Sequence, residues 1–329
     1  MGKAVIYYIL LFLLCSGCVG YFAYDDLVFE DKFDTKSYSE YSIDGNMPTR
    51  ALGGYQASYA CLTPGEEVNA DYFKDDTYAA LLIDNETNEV VVAHNALRRI
   101  YPASTTKLMT ALVVCDALYN GEISLDDVVT LQHDTQITEY GALISNLRAG
   151  YSISVRNLLY GLLMRSYNDY AVILAEYISG DVDTFCDRMN TKAYQIGATG
   201  SHFANPHGLH QDNHYVTAYD MYLILKEAAK YDIITEIDSY SSFSYSFTDD
   251  NGNEWKDDIS PTNQYLSGQY SIPSNIDIME WKTGTTNAAG NILCMNFYVN
   301  NKNYSLFVAD GVSQDDLYDK IGTMFNITN

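Results

Sequence analysis

Residues 101–110 read YPASTTKLMT and lead into a segment, 104–119, whose apolar positions Leu108, Met109, Leu112, Val113 and Leu118 recur at helical spacing. Pro102 stands just ahead of it and Gly121 just behind, residue types that start and stop helices. A buried helix is therefore predicted to begin at Ser104. Ser104 and Lys107 are three residues apart, which puts their Cβ atoms about 5–6 Å apart on neighbouring turns. A serine hydroxyl becomes a useful nucleophile only when a base accepts its proton. A lysine can be that base only when neutral, against a reference pKa of about 10.4. Burial and a second nearby cation both push a lysine that way. The free N–H groups and positive dipole end of a helix start favour negative charge on Ser104 or on a carbonyl under attack.

Working outward, residues 78–83, 84–88 and 90–93 read as strand, polar turn and strand, a hairpin that would open a sheet. Helices are predicted at 155–164, 170–178, 182–195 and 218–229. A polar stretch over roughly 239–275 follows, and strands return at 278–285, 292–299 and 304–309. Strands at both ends with helices between them predict an α+β fold in which one sheet is covered by a helical layer.

The chain has 329 residues, 47% of them hydrophobic, enough for a sizeable core. Its 43 acidic against 19 basic residues give a formal charge of -24, which repels polyanions, so nucleic acid is not expected as a partner. Lys3 precedes an almost unbroken apolar run over 4–19, so residues 1–23 read as a signal peptide or an N-terminal membrane anchor, and the remainder as exported. Residues 24–65, rich in Asp, Ser and Tyr and without an apolar period, read as a flexible linker, leaving 66–329 as the catalytic domain. Cys61, Cys115, Cys186 and Cys294 are too widely spaced for a C-x-x-C site, and no essential disulfide is expected. His207, His210 and His214 crowd one loop segment, which has no fixed helical geometry for metal ligands. Neither metal nor cofactor is called for.

A Ser-x-x-Lys pair alone is common enough to arise about once or twice by chance in a chain this long. Ser166 and Asn168, two residues apart between predicted helices, reach one cleft together only from a loop; alternatively Asn168 or Asp169 caps the helix from Tyr170. Lys282, Thr283 and Gly284 lie in a strand pattern, with Lys282 and Gly284 on one face and the glycine permitting close backbone approach to a ligand.

The order S-x-x-K, S-x-N, K-T-G matches the motif triad of penicillin-binding proteins and serine β-lactamases. Together with GLLMRSYNDYA (161–171), FANPHGL (203–209) and WKTGTTNAAG (281–290), it makes residues 75–312 resemble the D-alanyl-D-alanine carboxypeptidase family of low-molecular-weight penicillin-binding proteins. The resemblance implies a β-lactamase/penicillin-binding transpeptidase-like fold, an antiparallel sheet covered by a helical subdomain. It implies a hydrolase that removes the terminal D-Ala from peptidoglycan stem peptides, is acylated by penicillins, and serves cell-wall maturation and cell shape at the outer face of the cytoplasmic membrane or in the cell wall. By the same resemblance Ser104 is acylated, Lys107 is the base, Ser166 relays protons and Asn168 holds the substrate amide. Lys282 supplies positive charge, Thr283 binds the terminal carboxylate, Gly284 lets the strand approach, and the backbone N–H groups of Ser104 and Thr285 form the oxyanion hole.

The chain departs from the family pattern at Tyr167, where glycine is usual, and in having no arginine beyond Arg188 to meet the substrate carboxylate. A β-lactamase of class A would need a glutamate in an E-x-x-L-N pattern, but Cys186 stands at the place that Met189 and Asn190 would assign to it. Slow, long-lived acylation by penicillin is expected instead. A non-catalytic cell-wall binding module is the other reading, and the intact set of polar residues argues against it.

Overall fold

The computed structural model describes residues 59–73, 77–139 and 141–328. The expected leader, and the expected linker up to residue 58, lie outside the described residues. The last part of that linker is anchored: Ala60 is buried, its carbonyl accepts from Tyr219 Oη at 2.6 Å and its N–H donates to Tyr222 Oη at 3.2 Å.

In chain order the strands are β1 (Thr77–Asp84), β2 (Glu89–His94), β3 (Val128–Thr130), β4 (Ser152–Ser154), β5 (Phe243–Thr248), β6 (Glu254–Ile259), β7 (Ile276–Thr286), β8 (Gly290–Val299) and β9 (Lys302–Asp310). The α-helices are α1 (Thr106–Tyr119), α2 (Val155–Tyr160), α3 (Asn168–Ser179), α4 (Val182–Ile196), α5 (Ala218–Ala228), α6 (Asp232–Asp238) and α7 (Gln314–Thr328). The larger sheet runs β2-β1-β9-β8-β7 with every pairing antiparallel, so the N-terminal hairpin is closed onto the last strand and β7 forms an edge.

Apolar residues cover both faces of this sheet. On one face Leu81, Ile83, Cys294 and Phe307 pack with Leu108, Leu112, Met221 and Ile224 of the helical layer. On the other, Leu82, Trp281, Phe297 and Leu306 pack with Leu317, Ile321, Met324 and Phe325 of α7. Two-sided coverage explains why β9 and β1 read as nearly continuous apolar runs rather than alternating ones. Each fully buried Leu or Phe contributes about 1.5–3 kcal/mol of transfer free energy.

α1 is buried at every position from Thr106 to Ala117 except Asp116, the signature of a helix enclosed on all sides rather than lying at a surface. Its neighbours are set by local capping: Ser154, Asp181 and Thr217 accept from the N–H groups of Asn157, Thr184 and Asp220 to start α2, α4 and α5.

Two features go beyond the sequence expectation of one sheet covered by a helical layer. Residues 239–275 hold the β5–β6 hairpin, part of a second antiparallel sheet ordered β3-β4-β5-β6. Its strands escape notice because β6 is EWKDDI, mostly exposed, and carries little apolar signal. α7 follows β9, its apolar positions 317, 321, 324 and 325 repeating at helical spacing to cover the outer face of the sheet.

Candidate active site

The α-helix begins at Thr106, and Ser104 sits just before it in a short 3-10 turn, Ala103–Thr105. Ala103 adopts a left-handed backbone, φ +47, a conformation that costs a non-glycine residue of order 1–3 kcal/mol and persists only where the surroundings enforce it. Two glycines do so. A Cβ on Gly284 of β7 would stand 3.0 Å from Ala103 Cβ and 3.1 Å from Ser104 N, so an edge strand can run this close to the turn only without a side chain there. Gly208, at φ +87, lies on the opposite side: a Cβ would be 1.8 Å from the Ala103 carbonyl oxygen and 2.8 Å from Thr106 Oγ1. Gly208→Ala is therefore expected to lower stability by about 2–3 kcal/mol and to disturb Ser104 with it. An unchanged melting temperature would show that the loop yields and the close approach is not required.

Lys107 is fully buried one turn along α1, and its Nζ lies 2.9 Å from Ser104 Oγ, 2.7 Å from Asn168 Oδ1 and 2.7 Å from the His207 carbonyl oxygen. Burial, and then the charge of Lys282, push its pKa well below the ordinary lysine value, against an opposing pull from Asp169. A neutral amine has two N–H bonds and one lone pair. The two carbonyl oxygens take the N–H bonds, leaving the lone pair facing the serine hydroxyl.

The second motif is built by an irregularity. α2 is followed by a π-helical turn, Gly161–Arg165, and the chain leaves it through Ser166 in a left-handed conformation, φ +66. Such single π turns cluster at functional sites because they break helical register and re-aim the residues beyond them. Ser166 Oγ is buried and has no hydrogen-bond partner among the described residues. The capping alternative does not hold: α3 starts at Asn168 itself, with Tyr167 as its cap residue and no side-chain cap. Asn168 instead accepts from Lys107 through Oδ1 and donates from Nδ2 to the Leu143 carbonyl at 3.0 Å, so both ends of its amide meet protein partners. Tyr167 donates to Asp257 on β6 at 3.1 Å and packs 5.0 Å from the Tyr170 ring, which ties the motif to the smaller sheet.

Lys282 and Gly284 share a face of β7, as alternation requires, and Lys282 is fully buried. Burial lowers its pKa to about 8, with Cys294 and Asp238 pulling weakly the other way. The Thr283 hydroxyl lies 2.6 Å from that of Thr262; Thr285 is exposed, its hydroxyl 3.4 Å from Asn291 Oδ1. Gly284 brings β7 against Ser104, and the pull of Lys282 on Lys107 joins the third motif to the first.

The histidine segment has positional work of its own. The His207 carbonyl holds Lys107, and the Pro206 carbonyl accepts from Thr110 at 2.6 Å. Asn205 Oδ1 accepts from the Gly208 N–H at 2.6 Å and shapes the turn. His210 stacks edge-on against Tyr101 and lies 3.4 Å from Asp212. In the sequence, FANPHGL contributes to the family resemblance but signals no role for its residues. Its contacts to Lys107 and Thr110 are made by backbone carbonyls, which leave no mark on side-chain identity. Among the described residues no helix is long and apolar enough to cross a membrane.

Residues 67–312 match the family model for D-alanyl-D-alanine carboxypeptidase. Among curated proteins the chain is similar to the carboxypeptidase DacF of Bacillus subtilis, 38% identical over 48% of this chain and 40% of that protein. It is also similar to a D-alanyl-D-alanine endopeptidase of Escherichia coli, 31% identical over 70% of each. The chain spans about half the length of the first curated carboxypeptidases it matches, from 40% to 56%. Among solved structures, a mutant of a Streptomyces DD-transpeptidase superposes with a TM-score of 0.68 at 25% identity, covering 78% of this chain and 98% of the other.

Proposed function

Because the chain belongs to the D-alanyl-D-alanine carboxypeptidase family, we propose that it removes the terminal D-Ala from peptidoglycan stem peptides through an acyl-enzyme on Ser104. The observation that carries this reading is the buried Lys107 amine 2.9 Å from Ser104 Oγ, with both of its other contacts carbonyl oxygens. Lys107 takes the Ser104 proton as the oxygen attacks the carbonyl of the penultimate D-Ala. The N–H groups of Ser104 and Thr285 receive the oxyanion. As the C–N bond breaks, Ser166 gives its proton to the leaving D-Ala amine and takes the one on Lys107, which leaves Lys107 neutral. Water then attacks the ester with Lys107 again as base, returning the serine and releasing the shortened peptide.

Substrate lies along β7, the edge strand that passes beside Ser104. Its terminal carboxylate meets the Lys282 cation and the Thr283 hydroxyl. Either hydroxyl of the Thr262–Thr283 pair can donate, and once the carboxylate accepts from Thr283, Thr262 becomes the donor between them. Penicillin, which presents an amide carbonyl and a carboxylate together, acylates the same serine and leaves slowly. The apolar segment 4–19 sends the protein across the cytoplasmic membrane or holds it there, where the peptidoglycan substrate and its roles in wall maturation and cell shape lie. The test is release of D-Ala from diacetyl-Lys-D-Ala-D-Ala by the full chain. The similarity to an endopeptidase over 70% of both chains favours, as a second reading, cleavage of D-Ala cross-links by the same chemistry. Release of dimer cross-links without release of free D-Ala would select that reading.

The two lysines set opposite limbs of the pH profile. Lys107 must be neutral, so activity rises with pH as it loses its proton. Lys282 must be charged, and with a pKa of about 8 it loses charge above that pH. A bell-shaped kcat/KM is expected, falling above pH about 8. Lys282→Arg keeps its charge to far higher pH and is expected to abolish the alkaline fall. A fall that persists in Lys282→Arg would assign that limb to another group.

A further inference from the structure

The left-handed Ala103 and its peptide link to Ser104 sit at the end of a directed chain of buried hydrogen bonds. The N–H of Ala204 donates to His214 Nδ1 at 3.0 Å, so that nitrogen carries no proton and the ring proton is on Nε2. His214 Nε2 lies 2.7 Å from Thr106 Oγ1 and donates to it, and Thr106 in turn donates to the Ala103 carbonyl at 2.8 Å. His214, Thr106 and Ala103 are each 1% exposed or less. Burial, and then the neighbouring His207, His202, Lys107 and His210, press His214 to a pKa of about 3, so the ring stays neutral and the direction of the chain is fixed.

What this chain holds is one end of a peptide plane. All described peptide bonds are trans, so the Ala103 carbonyl and the Ser104 N–H point in opposite directions from the same planar unit. The carbonyl side is filled by Thr106 and Gly208. The nitrogen side faces β7, where a Cβ on Gly284 would be 3.1 Å from Ser104 N. Fixing the carbonyl therefore fixes the aim of the N–H, and a hydrogen bond accepted by a peptide oxygen strengthens its N–H as a donor.

We propose that His214 is a positioning residue for the oxyanion hole: it locks the Thr106 proton onto the Ala103 carbonyl and thereby aims and polarises the Ser104 N–H. The inference rests on the reading of Ser104 as nucleophile and its N–H as an oxyanion donor. Removing an oxyanion donor outright costs about 10²–10³ in kcat, and a donor left in place but loosened should cost less.

The test uses the full chain, with fluorescent penicillin for the acylation rate, D-Ala release for kcat and KM, and thermal melting for the fold. Thr106→Val is expected to lower kcat and the acylation rate about 10- to 100-fold with KM within about twofold, and Thr106→Ser to restore both. The two histidine replacements separate the chain from simple packing. Glutamine can place an N–H where Nε2 stands and keep the bond to Thr106. Asparagine can replace only the Nδ1 acceptor for Ala204. His214→Gln should therefore acylate at least several-fold faster than His214→Asn. These two and Thr106→Ser carry the comparison if Thr106→Val fails to fold. Wild-type kcat in Thr106→Val, a loss confined to KM, or His214→Asn equal to or faster than His214→Gln would overturn the proposal. If wild type labels with penicillin but releases no D-Ala, the substrate reading fails while the acylation rates still decide the positioning role.

Discussion

Ser104→Ala is expected to abolish D-Ala release and penicillin labelling together, by about 10⁴-fold or more, while leaving the fold within about 1 kcal/mol of wild type. The large effect follows from covalent chemistry: without the hydroxyl no acyl-enzyme forms, and the oxyanion donors have nothing to stabilise. The small structural effect follows from the surroundings. Ser104 is half-buried, and Lys107 keeps the Asn168 and His207 oxygens as hydrogen-bond acceptors when the serine oxygen is gone. Intact-protein mass after incubation with penicillin reads the first effect and thermal melting the second. A stable adduct on the variant would move the nucleophile elsewhere, with Ser166, whose buried hydroxyl has no partner among the described residues, as the next candidate.

Lys107→Met should cost about 10²–10⁴-fold in acylation, the range a positioned base contributes, and it should also change how stability depends on pH. In the folded protein burial and Lys282 hold the Lys107 pKa well below its ordinary value, whereas the unfolded chain keeps the proton up to about pH 10.4. Between those two values the unfolded state binds one more proton than the folded state, so raising the pH favours folding. The methionine variant lacks that increment. Wild type is therefore expected to gain stability relative to Lys107→Met as pH climbs toward 10, measured by denaturant midpoints at several pH values. Parallel curves would mean that Lys107 keeps its proton in the fold, and the lone-pair mechanism would fall with that result.

Much of the frame was legible in local pattern. The strands expected at 278–285, 292–299 and 304–309 are β7, β8 and β9 with ends shifted by a few residues, because β-branched and apolar runs between polar turns leave few alternatives. The helix after Ser104 was equally plain from its period. The helix expected at 155–164 was not: it changes to a π turn at Gly161, and nothing in the spacing of apolar residues distinguishes that turn from continued α-helix. The β5–β6 hairpin and α7 were missed because a mostly exposed strand carries no strong hydrophobic pattern, and because α7 stabilises mainly by covering a sheet face formed elsewhere.

The same division runs through the candidate site. Sequence alone determined which residue types are present and in what order: Ser104 and Lys107 one turn apart, Ser166 and Asn168 around a bend, Lys282 and Gly284 on one face of a strand. These arise from helix and strand periodicity, which is a property of neighbours in the chain. Tertiary structure decided what those residues can do. Lys107 becomes a candidate base only when Asn168, 61 residues away, and the His207 carbonyl, 100 residues away, take its N–H bonds in a buried setting beside Lys282. The Ser104 turn is held by Gly208, Gly284 and the ring of His214, 108 residues from Thr106. Desolvation and backbone strain depend on what surrounds a group in space, and that is fixed only when distant segments pack together.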